Sequence, residues 1–460
     1  MNAPNDPSTP QEPGTPQGRT AAQDAGSPQG RTAAEDPGAA PSGPTTPPEL
    51  FTWEFATDPY PAYAWLREHS PVHRTALPSG VEAWLVTRYA DAKQALADQR
   101  LSKNPAHHDE PAHAKGKTGI PGERKAELMT HLLNIDPPDH TRLRRLVSKA
   151  FTPRRVAEFA PRVQELTDRL IDDIVEKQHS AAKGEADLIH EFAFPLPIYA
   201  ICDMLGVPRE DQDDFRDWAG MMIRHGGGPR GGVARSVKKM RGYLAELIHR
   251  KREQPGEDLI SGLIKASDHG EHLTENEAAA MAFILLFAGF ETTVNLIGNG
   301  VYALLRNPAQ RERLQTSLAA GESALLETGV EELLRYDGPV ELATWRFATE
   351  ALEIGGQRIA AGDPVLVVLA AADRDPERFT EPDTLDLSRR DNQHLGYGHG
   401  IHYCLGAPLA RLEGQTAIAT LLRRMPDLRL AGDPADLRWR GGLIMRGLRT
   451  LPVEFTLTKS

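Results

Sequence analysis

Between Thr274 and Asn307 the sequence commits to one long apolar helix, and any fold has to be built around it. Thr274 and Glu277 have capping-box spacing, in which each side chain satisfies an unpaired backbone donor of the other. No helix breaker follows until Asn307-Pro308. At 1.5 Å per residue such a helix is roughly 50 Å long. It is apolar nearly all round through Leu286, as a helix at the centre of a large core should be. Its uninterrupted apolar run, Ala278 to Gly289, is about 12 residues, below the roughly 18 that suggest a membrane span.

Helical patterns dominate the rest: Pro61–His69, Tyr89–Asp98, Asp139–Lys149, Pro153–Gln178, Arg209–Met222, Ser236–Glu253 and Pro408–Arg424. Strand signals are fewer. Glu82–Thr87 and Pro364–Leu369 read as strands, and Leu352–Ile354 with Gln357–Ile359 flank a Gly355-Gly356 hairpin turn. No βαβ alternation appears, which argues against a doubly wound sheet. The expectation is a mainly α fold with small β-sheets (α+β), in one domain over residues 48–460. Residues 1–47 are rich in Pro, Gly and Ala and hold a near repeat, GTPQGRTAAQD and GSPQGRTAAED. Lacking large apolar residues, they cannot offset their ordering entropy, so a disordered tail is expected.

The chain has 460 residues and a formal net charge of −11. Such an acidic chain is a poor bulk binder of nucleic acid or anionic membrane. Its two cysteines, Cys202 and Cys404, exclude a disulfide framework. The first residues, MNAPNDPSTPQEPG, lack the basic start and apolar core of a signal peptide. A cytoplasmic, monomeric protein without membrane attachment is expected.

The most informative stretch is His394–Glu413, HLGYGHGIHYCLGAPLARLE. It reads as a glycine-rich loop entering a helix N-terminus, with Pro408 in the first turn. Glycines let backbone lie close to a flat ligand. Backbone amides and the positive helix end would favour a Cys404 thiolate. A thiolate on haem iron pushes electron density towards oxygen and favours O–O cleavage. Two other readings stay open: Cys404 as a packed core cysteine, and a zinc site of His394, His399, His402 and Cys404, whose spacing matches no common zinc pattern. Without a C-x-x-C-H motif, any haem is non-covalent.

From Tyr397 to Gly406 the loop resembles the cytochrome P450 signature, Phe-Gly-x-Gly-x-His/Arg-x-Cys-x-Gly, with Tyr397 in place of the usual Phe. The resemblance spans about residues 50–457. It implies the P450 fold, with the long central helix over haem b (iron protoporphyrin IX) and Cys404 as the axial iron ligand.

Within the central helix, Ala288-Gly289-Phe290-Glu291-Thr292-Thr293 combines a costly buried acid with threonines that can bond back one turn and bend the helix. Ala288 and Gly289 leave room for a diatomic ligand. The stretch resembles the family's acid–alcohol pair, which implies that Thr292 hydrogen-bonds the oxygen ligand and Glu291 feeds protons through water. Glu332 and Arg335 resemble the Glu-x-x-Arg pair that locks the core behind the cysteine loop, with Arg378 expected as third member and Arg374 in reserve. Haem propionates need buried cationic donors. His140 and Arg144 lie at i and i+4, and by resemblance they serve with Arg346 and His402.

Arg142, Arg145, Lys149, Arg154 and Arg155 form a basic cluster on an acidic chain, a patch that can steer an acidic partner. By resemblance it receives a small ferredoxin, itself reduced by a separate reductase, since this chain holds no flavin or nicotinamide domain. On the substrate side, Lys103–Arg124 is expected to cover the site and the glycine-rich Arg224–Arg235 to act as a lid hinge. Phe290, Leu342, Ala343, Thr344, Ile444 and Met445 are expected to line the pocket. Local wording such as ETTVNLIGNG is similar to the branch that tailors macrolides and other polyketides, which implies a bulky apolar substrate. The implied activity is a monooxygenase inserting one atom of O2 into a C–H or C=C bond. A terpenoid or steroid-like substrate, a peroxide-driven variant and a non-catalytic haem-thiolate sensor remain alternatives.

Overall fold

Thr274 starts the central helix as expected. Its hydroxyl accepts from the Glu277 amide at 3.3 Å, and Glu277 accepts from the Thr274 amide at 2.8 Å. The helix runs unbroken over Glu275–Arg306 and is capped by Asn307. In this computed structural model the described residues are 47–104, 107, 131–178, 183–223, 232–268 and 270–456. The expected tail up to Thr46, most of Lys103–Arg124 with His108 and His113, and 224–231 of the glycine-rich stretch lie outside them. All elements below belong to the unit Pro47–Ser460.

An 18-residue window of the central helix has mean hydropathy 1.8, long and apolar enough to cross a bilayer, yet 72% of it is buried inside the protein. The helices Pro195–Leu205, Ala324–Asp337 and Ala407–Arg424 pack on it. The helix takes up apolar surface that neighbouring helices supply in place of lipid.

Several helices follow the sequence reading within a residue or so, among them Tyr60–His69, Tyr89–Ala97, Asp139–Ala150 and Ala407–Arg424. Pro153–Gln178 does not: it divides into Pro153–Glu158 and Ala160–Glu176 at Phe159. Pro161 is the cause. It has no amide to continue the ladder, and its ring would strike the carbonyl one turn back, so it sits in the first turn of a new helix.

The main sheet has five strands in the order Val72–Ala76, Glu82–Val86, Pro364–Val367, Arg346–Ala348, Leu101–Ser102. Glu82–Val86 and Pro364–Val367 pair in parallel, with Val365 opposite Trp84. Pro364–Val367 is buried at every position, which explains its continuous apolar run. The Leu352–Ile354/Gln357–Ile359 hairpin turns on Gly355 and Gly356, both at positive φ. A three-stranded sheet of Arg429–Leu430, Pro452–Thr456 and Lys183–Asp187 has no clear sequence signal, because Lys183–Asp187 is mostly polar.

Candidate active site

Near the middle of the mostly buried central helix, one face is left partly exposed. Leu285, Gly289 and Thr292 are half-buried and Ala288 is exposed. Their i, i+3, i+4, i+7 spacing puts them on one face. This window holds the predicted notch residues Ala288, Gly289 and Thr292, together with Leu285, which the sequence reading missed. The Thr292 hydroxyl donates to the Ala288 carbonyl at 2.9 Å, and Thr293 donates to Gly289 at 3.1 Å. The back-bonding is as expected, while the helix stays continuous. Phe290 corrects an expectation. It is fully buried, in edge contact with Phe194 and Phe287. Two residues on from Ala288 it is turned about 200° around the helix, away from the window. Glu291 is 5% exposed at the window's edge.

The cysteine loop is shaped by its glycines. Gly398 and Gly400 take φ of +75°, a conformation that disfavours other residues. A Cβ on Gly400 would press on the Leu96–Ala97 backbone at 3.2 Å. The Cys404 amide donates to the Tyr397 carbonyl at 2.9 Å, closing the loop. The Gly406 and Ala407 amides, at the start of helix Ala407–Arg424, aim at the Cys404 sulfur. Burial nevertheless pushes the thiol above its ordinary value, against those amides and nearby Arg144. Tyr397 lies beneath Arg411, whose guanidinium is 4.5 Å from the ring centre, and its buried hydroxyl has no hydrogen-bond partner. Arg411 is held by Glu331 at 2.7 and 2.9 Å.

Beside the cysteine, cationic and imidazole groups converge. His140 and His402 rings are 4.3 Å apart, and a His402 ring nitrogen meets the Leu132 carbonyl at 3.1 Å. Burial, with Lys103, His140 and Arg346 nearby, holds His402 down to about 2. Burial likewise lowers Arg346 to about 10 and His131 to about 4. Arg346 is 3% exposed and reaches only the carbonyls of Thr344 and Leu96, at 3.4 and 3.3 Å. The buried Nε2 of His140 has no hydrogen-bond partner. Arg144 is half-buried near Cys404, its guanidinium lowered by burial. Lys103 and His131, both buried, join this group without having been foreseen. Among the described residues the carboxylate facing it is Asp136, already bonded to Ser102 and the Lys103 amide. Among the described residues neither buried Arg346 nor half-buried Arg144 has a hydrogen-bonded carboxylate, and buried cations call for anions. Two carboxylates beside a thiol are what haem presents, so the donor set fits that group. His394, by contrast, meets Glu331 at 3.2 Å, away from the partner of His402. Among the described residues no group of His, Cys, Asp and Glu forms a metal site.

Glu332 and Arg335 form a fully buried pair, with two bonds of 2.8 Å. The third member is Arg389, not Arg378 or Arg374: Arg389 donates to Glu332 at 3.0 Å. Arg378 turns to exposed Asp391, and Arg374 to Asp383 and the Tyr336 carbonyl. Arg335 also holds the carbonyls of Asp373, Pro382 and Thr384, and Asp373 in turn accepts from the Leu395 amide at 2.6 Å. The cluster thus fixes the chain that leads into the cysteine loop. Glu413, on the helix after the loop, is 1% exposed, and burial raises its carboxyl to about 8, with Thr293 beside it pulling the other way.

The other expected pocket residues come together across a hundred positions of sequence. Val340 bridges Met445, Leu342 bridges Val368, and the Glu341 amide donates to Ile444 at 2.8 Å. Ile444, Met445 and Thr344 are half-buried, while Leu342 and Ala343 are buried. Thr344 is gripped by the Lys103 ammonium through its carbonyl at 2.9 Å and its hydroxyl at 2.5 Å. In the basic cluster, Arg142 is bonded to Glu277 and Lys149 to the Ser267 carbonyl, and Arg155 to the carbonyls of Ala150 and Glu257. Arg142 therefore belongs to a helix–helix contact and not to a docking face, a correction to the sequence reading. Arg145 and Arg154 are exposed.

The family model described as Cytochrome P450 matches residues 198–426. The cytochrome P450 monooxygenase PikC of Streptomyces venezuelae is 47% identical over 403 residues, 87% of this chain and 92% of that protein. The mycinamicin IV hydroxylase/epoxidase of Micromonospora griseorubida is 40% identical, covering 85% and 94%. The solved structure of PksS, a bacillaene polyketide synthase cytochrome P450 of Bacillus subtilis, superposes with a TM-score of 0.78 at 38% identity, covering 88% of this chain and 99% of that one. The chain belongs to the cytochrome P450 family, as a monooxygenase whose cofactor is haem b.

Proposed function

We propose that this monooxygenase inserts one atom of O2 into a C–H or C=C bond of a bulky, largely apolar polyketide, with Cys404 as the axial thiolate. The observation that carries the assignment of the site is the gathering of His140, Arg346, His402 and Arg144 beside Cys404, donors with no carboxylate hydrogen-bonded to them among the described residues. Bound haem supplies the activation of dioxygen. His140, Arg144, Arg346 and His402 would hold its propionates. Ala288 and Gly289 keep the window narrow in side-chain volume, so that O2 fits against the helix. Thr292 Oγ1 would pass onward a proton given up by the protonated Glu291 carboxyl, which becomes carboxylate. Glu332, Arg335 and Arg389 keep the cysteine loop in place.

Leu342, Ala343, Thr344, Ile444 and Met445, with Leu285, would line a mostly apolar pocket suited to a macrolactone or similar ring. The relatedness to a mycinamicin IV hydroxylase/epoxidase and to a bacillaene polyketide synthase cytochrome P450 supports that substrate class. Electrons would come from a ferredoxin docking near Arg145 and Lys149, reduced by a separate reductase. The acidic composition and the burial of the central helix support a cytoplasmic enzyme, and we take it to act as a monomer.

The test is the absorption spectrum of dithionite-reduced protein with carbon monoxide. A strongly red-shifted Soret band is expected for wild type and Cys202→Ala, and its loss for Cys404→Ala. A thiolate spectrum surviving in Cys404→Ala would sink the ligand assignment. Spin-state shifts against a panel of macrolactones test the substrate class; a panel without any shift, beside a shift with terpenoids, would overturn it.

A further inference from the structure

Glu291, Asn295 and Asn299 form an i, i+4, i+8 row on the central helix, from the window towards the C-terminal end. All three are nearly fully buried, at 5%, 1% and 1% exposure, in a helix otherwise filled with apolar side chains. The chain segment 439–448 covers the row. Gly447 sits directly on Asn295, so closely that an added Cβ would fall 2.1 Å from the amide oxygen. The Asn299 amide donates to the Arg446 and Asp337 carbonyls at 3.1 and 3.2 Å. The Arg440 amide donates to the Gly447 carbonyl at 2.8 Å, which draws Arg440 into the same place.

Buried polar atoms without protein partners cluster here. They are both amide atoms of Asn295, Oδ1 of Asn299 and Nη1 of Arg440. Buried polar groups are satisfied in nearly every protein, by water where protein does not reach. Arg440 is half-buried with a buried Nη1, so its side chain reaches from the surface into the row. Among the described residues, a charged group set against Glu291 is Arg440, itself neighboured by Arg449.

We propose that Arg440 is a positioning residue for Glu291 and that, with Asn295, it holds the water through which the Glu291 carboxylate recovers its proton from the surface. Arg440 keeps its own charge throughout. A proton entering from solvent protonates the carboxylate, and the same carboxyl later gives it up towards Thr292. This deepens the proposed function and rests on the proton-donor role assigned there to Glu291. It adds a route of supply that begins at the C-terminal segment.

The experiment is an infrared titration of the Glu291 carboxyl in the holoenzyme, its band identified by loss in Glu291→Gln. Removing the facing cation in Arg440→Gln should move the titration midpoint upward by roughly one to three pH units. Arg440→Lys should return it towards the wild-type value. Transfer to heavy water shifts the band as its proton exchanges, and in Asn295→Leu that shift should lag behind wild type. An unmoved midpoint in folded Arg440→Gln would overturn the positioning role. Exchange as fast as wild type in Asn295→Leu would overturn the water path, and this arm stands if Arg440→Gln does not fold. The carbon monoxide spectrum of each variant separates these failures from failure of the haem-thiolate assignment, which would show as a lost thiolate band.

Discussion

Arg142, two residues from His140 on helix Asp139–Ala150, is hydrogen-bonded to Glu277, the acid that closes the capping box of the central helix. One carboxylate therefore both starts the helix that carries the window and fastens it to the helix that carries two expected propionate ligands. Burial works against the ionised Glu277, but Arg142 and the Thr274 donors outweigh it and hold the carboxyl below its ordinary value.

For Glu277 the sign follows from that depressed value. The stabilisation is present above the unfolded carboxyl value, near pH 4.5, and is lost as pH falls through the lower folded one. Glu277→Gln should cost about 1–2 kcal/mol at pH 7, the range for a lost cap and a partly buried pair. Denaturation curves at pH 7 and pH 3.5 check it. The gap between wild type and variant should shrink at the lower pH, and a gap that widens there would contradict the assignment.

Glu413 should show the opposite dependence. Its carboxyl rises from an ordinary 4.5 to about 8 on folding. The folded protein then binds the proton more tightly, so its contribution is intact below pH 4.5 and is lost as pH rises through 8. At about 1.4 kcal/mol per pH unit the loss amounts to a few kcal/mol. Chemical denaturation between pH 5 and pH 9 should show wild type weakening more steeply than Glu413→Gln. Parallel curves would mean that the carboxyl is not protonated in the folded protein.

Arg389→Ala removes a half-buried partner of the buried Glu332, which keeps Arg335, and should destabilise by roughly 1–3 kcal/mol. Arg378→Ala breaks a pair with exposed Asp391 and the contacts with the Tyr89 and Phe379 rings, and should cost no more than about 1 kcal/mol. Thermal melts of the two variants side by side decide between them. Equal losses would return Arg378 to the cluster.

Thr292→Ala should leave the thiolate spectrum intact and divert reducing equivalents to hydrogen peroxide. Product formation is expected to fall by roughly a hundredfold, the lower end for lost general-acid assistance. The readout is peroxide and product per electron, with any macrolactone that gives a spin shift. Full coupling in the variant would remove Thr292 from proton transfer.

The sequence makes legible what is local. Capping box, apolar helix, Gly355-Gly356 turn and cysteine loop each carry their signal within a few residues. Contacts made by chain return are another matter. Arg389 meets Glu332 from 57 positions away, and nothing in its own neighbourhood marks it above Arg374 or Arg378. Lys103 and His131 stand at the ends of a polar stretch whose composition reads only as loop. Phe290 was misjudged although helix phase alone turns it away from Ala288. Arg142 read as a solvated charge because the identity of its acid depends on how two helices lie together.

The burial of the central helix has a consequence for synthesis. Its apolar surface is matched by Pro195–Leu205, made earlier, and by Ala324–Asp337 and Ala407–Arg424, made later. A nascent chain that has just left the ribosome with Arg306 thus carries a segment with the hydropathy of a membrane anchor and only part of its eventual cover. Until the cysteine loop and the helix behind it emerge, that segment is open to aggregation or to chaperones. Truncations ending before Ala407 should therefore accumulate as insoluble protein, because the residues that complete the site also complete the solubility of its longest helix.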